Sequence, residues 1–366
     1  MHRQLLFLPG PVTVAPDVLA ALARPLVNHR GPQFAGLLER VDAALRPVFG
    51  TNGNVIPLGS SGTGAMEASL VNLFSPGERV LSCPVGVFGR RFGEMASSYG
   101  CIVEELETPT GAALDPQALR ERLERDGRRE IAGVLLTHNE TSTGVQNDMA
   151  ALAPILRAHG AISLVDSISG LGASEFRMDE WGYDAVVTAS QKAFAAPPGV
   201  AMAAMSERAW ERMQSARTPR YYFDLHRARE ALRAGETPWT PPISILFALD
   251  VALARYHEAG VEGACERHAR YAAIVAEAFE RLGFTLVARP EARSVTVIAA
   301  YPPPGVDAAT LLRRLRVERG IVLAGGQAEL AGKIVRFGTM GDITEEDIRD
   351  ALAAIEEIAR ATSGVA

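Results

Sequence analysis

The chain has 366 residues, 48% of them hydrophobic and 22% charged, enough apolar material to bury the core of one large domain and a smaller companion. Its net charge is −6 with Lys and Arg dispersed, so no face is built to neutralise phosphodiester backbones, and nucleic acid is excluded as a partner. No segment reaches the roughly 20 apolar residues of a membrane span, and the opening stretch "MHRQLLFLPGPVTVAP" is too short and proline-broken for a signal peptide, so a soluble cytoplasmic protein is expected.

From about Ala65 to Met205, apolar runs alternate with helix-like stretches. "ERVLSCP", "CIVEELE", "IAGVLLTH", "AISLVD", "DAVVTAS" and "VAMAAMS" read as strands. Between them lie "LDPQALRERLERDG", with Asp115 as N-cap and Pro116 at the first helical position, and "MAALAPILRAHG", closed by Gly160. Continuous apolar strands separated by helices predict an α/β fold with a mostly parallel sheet covered on both faces. After Thr240 two long helices follow, "PPISILFALDVALARYHEAG" and "ACERHARYAAIVAEAFERLG", then short strands and a terminal helix with Thr344 as N-cap and Asp347 three residues on. This change of character predicts a small α+β domain from about residue 256. Cys83, Cys101 and Cys265 are an odd number without CxxC spacing, which fits buried thiols better than a disulfide framework or a zinc site.

In a parallel sheet, ligands bind beyond the carboxyl ends of the strands. Three of those ends are polar: "AISLVD" finishes in Asp166, "VLLTH" runs into "NETSTG", and "DAVVTAS" runs into Gln191 and Lys192. A carboxylate there costs several kcal/mol unless a cation or hydrogen-bond donor meets it. Lys192 and Asp166 therefore read either as a structural ion pair or as two ends of an aldehyde cofactor's site, the lysine as an imine and the aspartate on a protonated ring nitrogen. "GSSGTGAMEASLVNLF" is a Gly/Ser/Thr turn opening into a helix, whose free N–H groups suit an anion such as a phosphate. Alone it is an ordinary helix cap; beside Lys192 and Asp166 it supplies the phosphate end of a pyridoxal phosphate pocket. Phe88, between the glycines of "GVFGRRF", is either a core aromatic or a ring on which the cofactor stacks.

The chain resembles the class V aminotransferases of fold type I, and among them the alanine/serine–glyoxylate (serine–pyruvate) enzymes. The resemblance is carried by "LPGPVTVAP", "NHRGPQF", "GSSGTGAMEASLVN", "GVFGRRF", "THNETSTGV", "LVDSISGLG", "SQKAFAAPPG", "TPWTPPIS" and "VRFGTMG", in order from residue 8 to residue 341. It implies an N-terminal arm (1–15), a large pyridoxal-phosphate-binding domain (16–255) and a small C-terminal domain (256–366). It also implies that Lys192 is the Schiff-base lysine and that Gln191 contacts the cofactor. Asp166 would pair with the pyridine nitrogen, Thr141 would bond near the phenolic oxygen, Phe88 would stack, and Ser61, Gly62 and Thr63 would hold the phosphate. Thr240 matches a threonine that reaches the neighbouring subunit's phosphate, so a homodimer with shared active sites is implied, and Arg336 matches the clamp on the substrate carboxylate. The expected reaction moves an amino group from alanine or serine to a 2-oxo acid such as glyoxylate or pyruvate. The alternatives are 2-aminoethylphosphonate–pyruvate transamination, with Arg336 on a phosphonate, and a cysteine desulfurase, which needs a mobile catalytic cysteine.

Overall fold

A computed structural model describes residues 4–363. Met1, His2 and Arg3 of the expected arm, and the last three residues of the expected small domain, lie outside the described residues. The main sheet has seven strands in the spatial order Val55–Leu58, Ala201–Met205, Ala185–Ala189, Ile162–Asp166, Ile131–Thr137, Arg79–Cys83 and Ile102–Glu105. The last five of these run parallel, whereas Ala201–Met205 is antiparallel to both of its neighbours. All six predicted strands form. The inner ones are buried at all but one position or at every position, which is why they read as continuous apolar runs rather than alternating ones.

The helices that cover the sheet start and stop where side chains satisfy their end groups. Asp115 and Asp148 accept from the amides of Gln117 and Ala151 at 2.9 and 3.0 Å, and Gly160 closes its helix with φ +85°. Thr344 and Asp347 cap reciprocally, Asp347 N donating to Thr344 Oγ1 at 3.1 Å and Thr344 N to Asp347 Oδ2 at 2.8 Å.

A second sheet of five strands has the order Leu5–Phe7, Ile321–Gly325, Val335–Gly338, Val297–Tyr301 and Thr285–Leu286. Its first strand comes from the N-terminal segment, so the opening residues are woven into the same sheet as the C-terminal ones. The two long helices expected after Thr240 form one run, Ile243–Arg281, broken at Gly260, whose φ of +71° and ψ of 173° leave the helical region. Phe7, Phe279 and Phe337 pack together at the centre of this second core.

Candidate active site

Three strand ends meet at one cavity. It is lined by Asp166 at the end of its strand, Asn139 and Thr141 after Ile131–Thr137, and Gln191 and Lys192 after Ala185–Ala189. Ser61, Gly62 and Thr63, at the start of the helix Gly62–Leu73, close a further side, and Phe88 joins them from the helix Val87–Ser98. The parallel register that sets Thr137 beside Asp166 and Asp166 beside Val187 brings these distant residues to one edge.

Burial sets the electrostatics. Asp166 is only 4% exposed, and Oδ1 accepts one hydrogen bond, from Ile168 N at 2.9 Å. Desolvation pushes its carboxyl up to about 7, with Glu140 adding to the rise and the Ile168 amide, Lys192 and Arg91 opposing it. Desolvation pulls the Lys192 ammonium down to about 8; Asp166 resists that fall and Arg336 assists it. A carboxylate and an amine whose charged forms are both disfavoured in one cavity are the mark of a functional site more than of a structural ion pair.

The helix Gly62–Leu73 aims its first turn at the same space. Gly64 N donates to Ser61 O at 2.9 Å, with Ser61 Oγ at 3.4 Å, whereas the amides of Gly62 and Thr63 have no carbonyl one turn earlier in the helix to bond. Gly62 is fixed by packing, since a Cβ there would stand 2.6 Å from Ile168 Cδ1. The residue that holds Asp166 therefore also seats the helix start. Phe88 lines the cavity with the Arg91 guanidinium 4.7 Å from its ring centroid.

Arg336 lies on the strand Val335–Gly338, 6% exposed. Nε donates to Gly325 O at 2.7 Å and Nη1 to Thr141 O at 2.9 Å, with Gln327 Oε1 at 3.4 Å. Its acceptors are neutral, and no carboxylate among the described residues forms an ion pair with it. A buried guanidinium placed in this way favours capture of an anion from outside the chain. Thr240 stands apart. It is exposed and lines a separate groove with Tyr222, Trp239 and Pro242, so within one subunit it does not join the Lys192 cavity.

Two residues of the site, Glu140 and Asn139, have no place among those singled out in the sequence. Glu140 is fully buried and takes four donors: Phe88 N at 2.9 Å and Gly89 N at 3.1 Å on Oε2, Ser142 N at 3.0 Å and Ser142 Oγ at 2.7 Å on Oε1. It thereby caps the helix that carries Phe88, whose N-terminal dipole favours a carboxylate. An acid within the otherwise uncharged "HNETSTG" was the available signal. Asn139 donates to Ser169 Oγ and Thr296 Oγ1 at 2.8 and 2.9 Å while its Oδ1 has no partner, and Gln191 Oε1 is likewise buried and unpaired. His138 bonds Ser167 Oγ at 2.8 Å through Nδ1 and is pushed down to about 4 by burial, so it is a neutral packing residue.

The family model for aminotransferase class-V matches residues 18–350. The chain is 36% identical over 357 residues to a protein of Synechococcus named as the small subunit of a soluble hydrogenase, covering 97% of this chain and 93% of that one. It is 35% identical over 357 residues to the L-aspartate–glyoxylate aminotransferase of Paracoccus denitrificans, covering 96% and 90%. The crystal structure of an alanine–glyoxylate aminotransferase from Nostoc superposes with a TM-score of 0.93 at 33% identity, over 98% of this chain and 96% of that one. With a half-buried lysine, a buried aspartate and the first turn of a helix at one cavity, and with a family model that spans nearly all of its length, the chain belongs to the class V aminotransferases, of fold type I.

Proposed function

We propose that the protein is a pyridoxal-phosphate-dependent aminotransferase that moves an amino group from a small amino acid, alanine or serine, to glyoxylate or a similar 2-oxo acid. The observation that carries this reading is the meeting of Lys192, Asp166 and the first turn of Gly62–Leu73 at one cavity. The residues fit the cofactor. The Gly62 and Thr63 amides suit its phosphate, a carboxyl suits a ring nitrogen, and Gln191 Oε1 is buried with no hydrogen-bond partner among the described residues.

Pyridoxal phosphate, when bound, supplies an electron sink for charge developing at the substrate's α-carbon. Ser61, Gly62 and Thr63 would hold its phosphate, Phe88 its ring face, and Thr141 and Gln191 its polar edge. Asp166 would keep the ring nitrogen protonated. Lys192 would tether the cofactor and then, as a free amine, move the proton at the α-carbon. Burial suits both tasks, because it keeps a useful fraction of the amine unprotonated near neutral pH. Thr240 would complete the phosphate site of a second subunit in a homodimer. Among the described residues no helix is long and apolar enough to cross a membrane, in keeping with small dissolved substrates.

Arg336 would clamp the substrate carboxylate. Replacing it with lysine substitutes a point charge for a planar fork, so the Michaelis constant for the amino donor should rise by about tenfold or more while kcat changes less. Steady-state kinetics on Arg336→Lys decides this, and an unchanged Michaelis constant would remove Arg336 from the substrate site.

The Paracoccus and Nostoc aminotransferases both bear glyoxylate in their names, which favours it as acceptor here; their donors differ. The desulfurase alternative loses ground on its nucleophile. Cys83 is buried with its thiol pushed far up by desolvation, and the Cys101 and Cys265 thiols are pushed up to about 11, so none presents a thiolate. Purified protein should transfer amino groups from alanine or serine to glyoxylate when assayed against a panel that includes 2-aminoethylphosphonate. Turnover of the phosphonate alone would replace this reading with the phosphonate one.

A further inference from the structure

The proposed reaction frees the Lys192 amine in every cycle, and a free amine in a desolvated site needs a hydrogen-bond partner. The partner comes from the N-terminal segment, 183 residues earlier in the chain. Lys192 Nζ donates to the carbonyl oxygen of Pro9 at 2.6 Å. The next residue, Gly10, has φ +122°, and a Cβ there would stand 2.6 Å from Nζ, 2.7 Å from Cδ and 2.9 Å from Cε. The lysine shaft and a side chain at position 10 cannot occupy this space together.

We propose that the Pro9 carbonyl is the dock of the Lys192 amine whenever the lysine is not bonded to cofactor, and that Gly10 is the positioning residue that keeps this dock open. The inference rests on the aminotransferase reading of Lys192 but not on the identity of the substrate. With one N–H committed to the carbonyl, rotation about the terminal C–N bond is restricted and the amine's lone pair is held in few orientations. When it acts as a base, the C–H bond at the α-carbon breaks, a further N–H bond forms on Nζ, and the electron pair stays with the substrate and its cofactor. The resulting ammonium is stabilised by the same carbonyl, which accepts but cannot donate.

The dock is tied to the substrate clamp. The strand Leu5–Phe7 that leads into Pro9 pairs with Ile321–Gly325, which pairs with Val335–Gly338, the strand of Arg336. Contact is direct as well, for a Cβ on Gly338 would lie 2.1 Å from the carbonyl oxygen of Leu8. Any shift of this sheet on substrate binding therefore moves the lysine dock and the carboxylate clamp together.

A crystal structure of the protein loaded directly with pyridoxamine phosphate tests the dock without any turnover. Nζ within about 3.2 Å of the Pro9 oxygen is the expected result. Bound cofactor with the amine turned to another acceptor overturns the dock alone, whereas failure of the compound to bind in this cavity overturns the cofactor reading with it. In solution, labelling of Lys192 in the apoprotein by trinitrobenzenesulfonate, followed peptide by peptide across pH, should have its midpoint about half a pH unit to one pH unit lower in Gly10→Ala, because a carbonyl partner that favours the ammonium is lost. A midpoint equal to that of the parent protein counts against the role given to Gly10.

Discussion

On the proposed function, Lys192→Ala should lose at least about four orders of magnitude in turnover, since it would remove both the covalent tether and a general base worth about 10² to 10⁴ by itself. The loss should be chemical, not structural. Among the described residues Lys192 Nζ has a single hydrogen bond, to Pro9 O, and its neighbours Ala193 and Phe194 belong to apolar clusters that the substitution leaves in place. Two readings separate the roles. Borohydride treatment should fix the cofactor to residue 192 of the parent protein, as located by mass spectrometry, and should fix nothing to the variant; a reducible adduct that persists elsewhere in Lys192→Ala would sink the assignment. In the parent, the proton-transfer step should gain rate as pH rises through about 8, where the buried amine loses its proton, and level off above that. Without this dependence, some group other than Lys192 is the base.

The parts of this site that were legible in the sequence are those in which residue type and backbone path coincide. Asp166, Gln191 and Lys192 stood out because polar residues ended apolar runs, and a parallel sheet sends such ends to one edge. Ser61 to Thr63 stood out because small residues preceded a helix. Strand direction was less legible. Ala201–Met205 is as apolar as the parallel strands of the sheet, and the connection from Ala189 is too short to carry the crossover helix that a parallel strand needs. The strands Leu5–Phe7 and Val55–Leu58 are too brief for periodicity, and the second contains Pro57. The Pro9 oxygen was invisible for a deeper reason: a backbone carbonyl belongs to every residue, so only the folded path shows that it faces Lys192. Glu140 acts on main-chain amides that equally lack a sequence signature, and the role proposed for Thr240 lies in a second subunit.

Asp166→Asn should divide function from stability. In the folded apoprotein the carboxyl titrates near 7 against 3.8 for the ordinary group, chiefly because burial penalises its charge. Between those values the folded chain binds more protons than the unfolded one, so stability contributed by the neutral acid is fully present below about 3.8 and is lost as pH rises through about 7. Asparagine matches the protonated acid in shape and never takes the charge. The apo variant should therefore melt close to the parent at pH 4 to 5 and above it at pH 8, the gap bounded by about 4 kcal/mol, because each tenfold change in proton affinity is worth about 1.36 kcal/mol. A parent that melts higher at pH 8 would mean that Asp166 is held by a cationic partner already within the chain. Catalysis should move the other way. A neutral amide cannot hold a proton on the ring nitrogen, so kcat should fall by on the order of a thousandfold, comparable to the loss of one preorganised electrostatic partner. The cofactor's stabilisation of the protein, read as the rise in melting temperature on saturation at pH 8, should shrink as well. The carboxylate destabilises the apoprotein because Lys192 and Arg91 offset only part of the cost of burying its charge, and on the proposed function that same placement would make it useful to a protonated ring nitrogen.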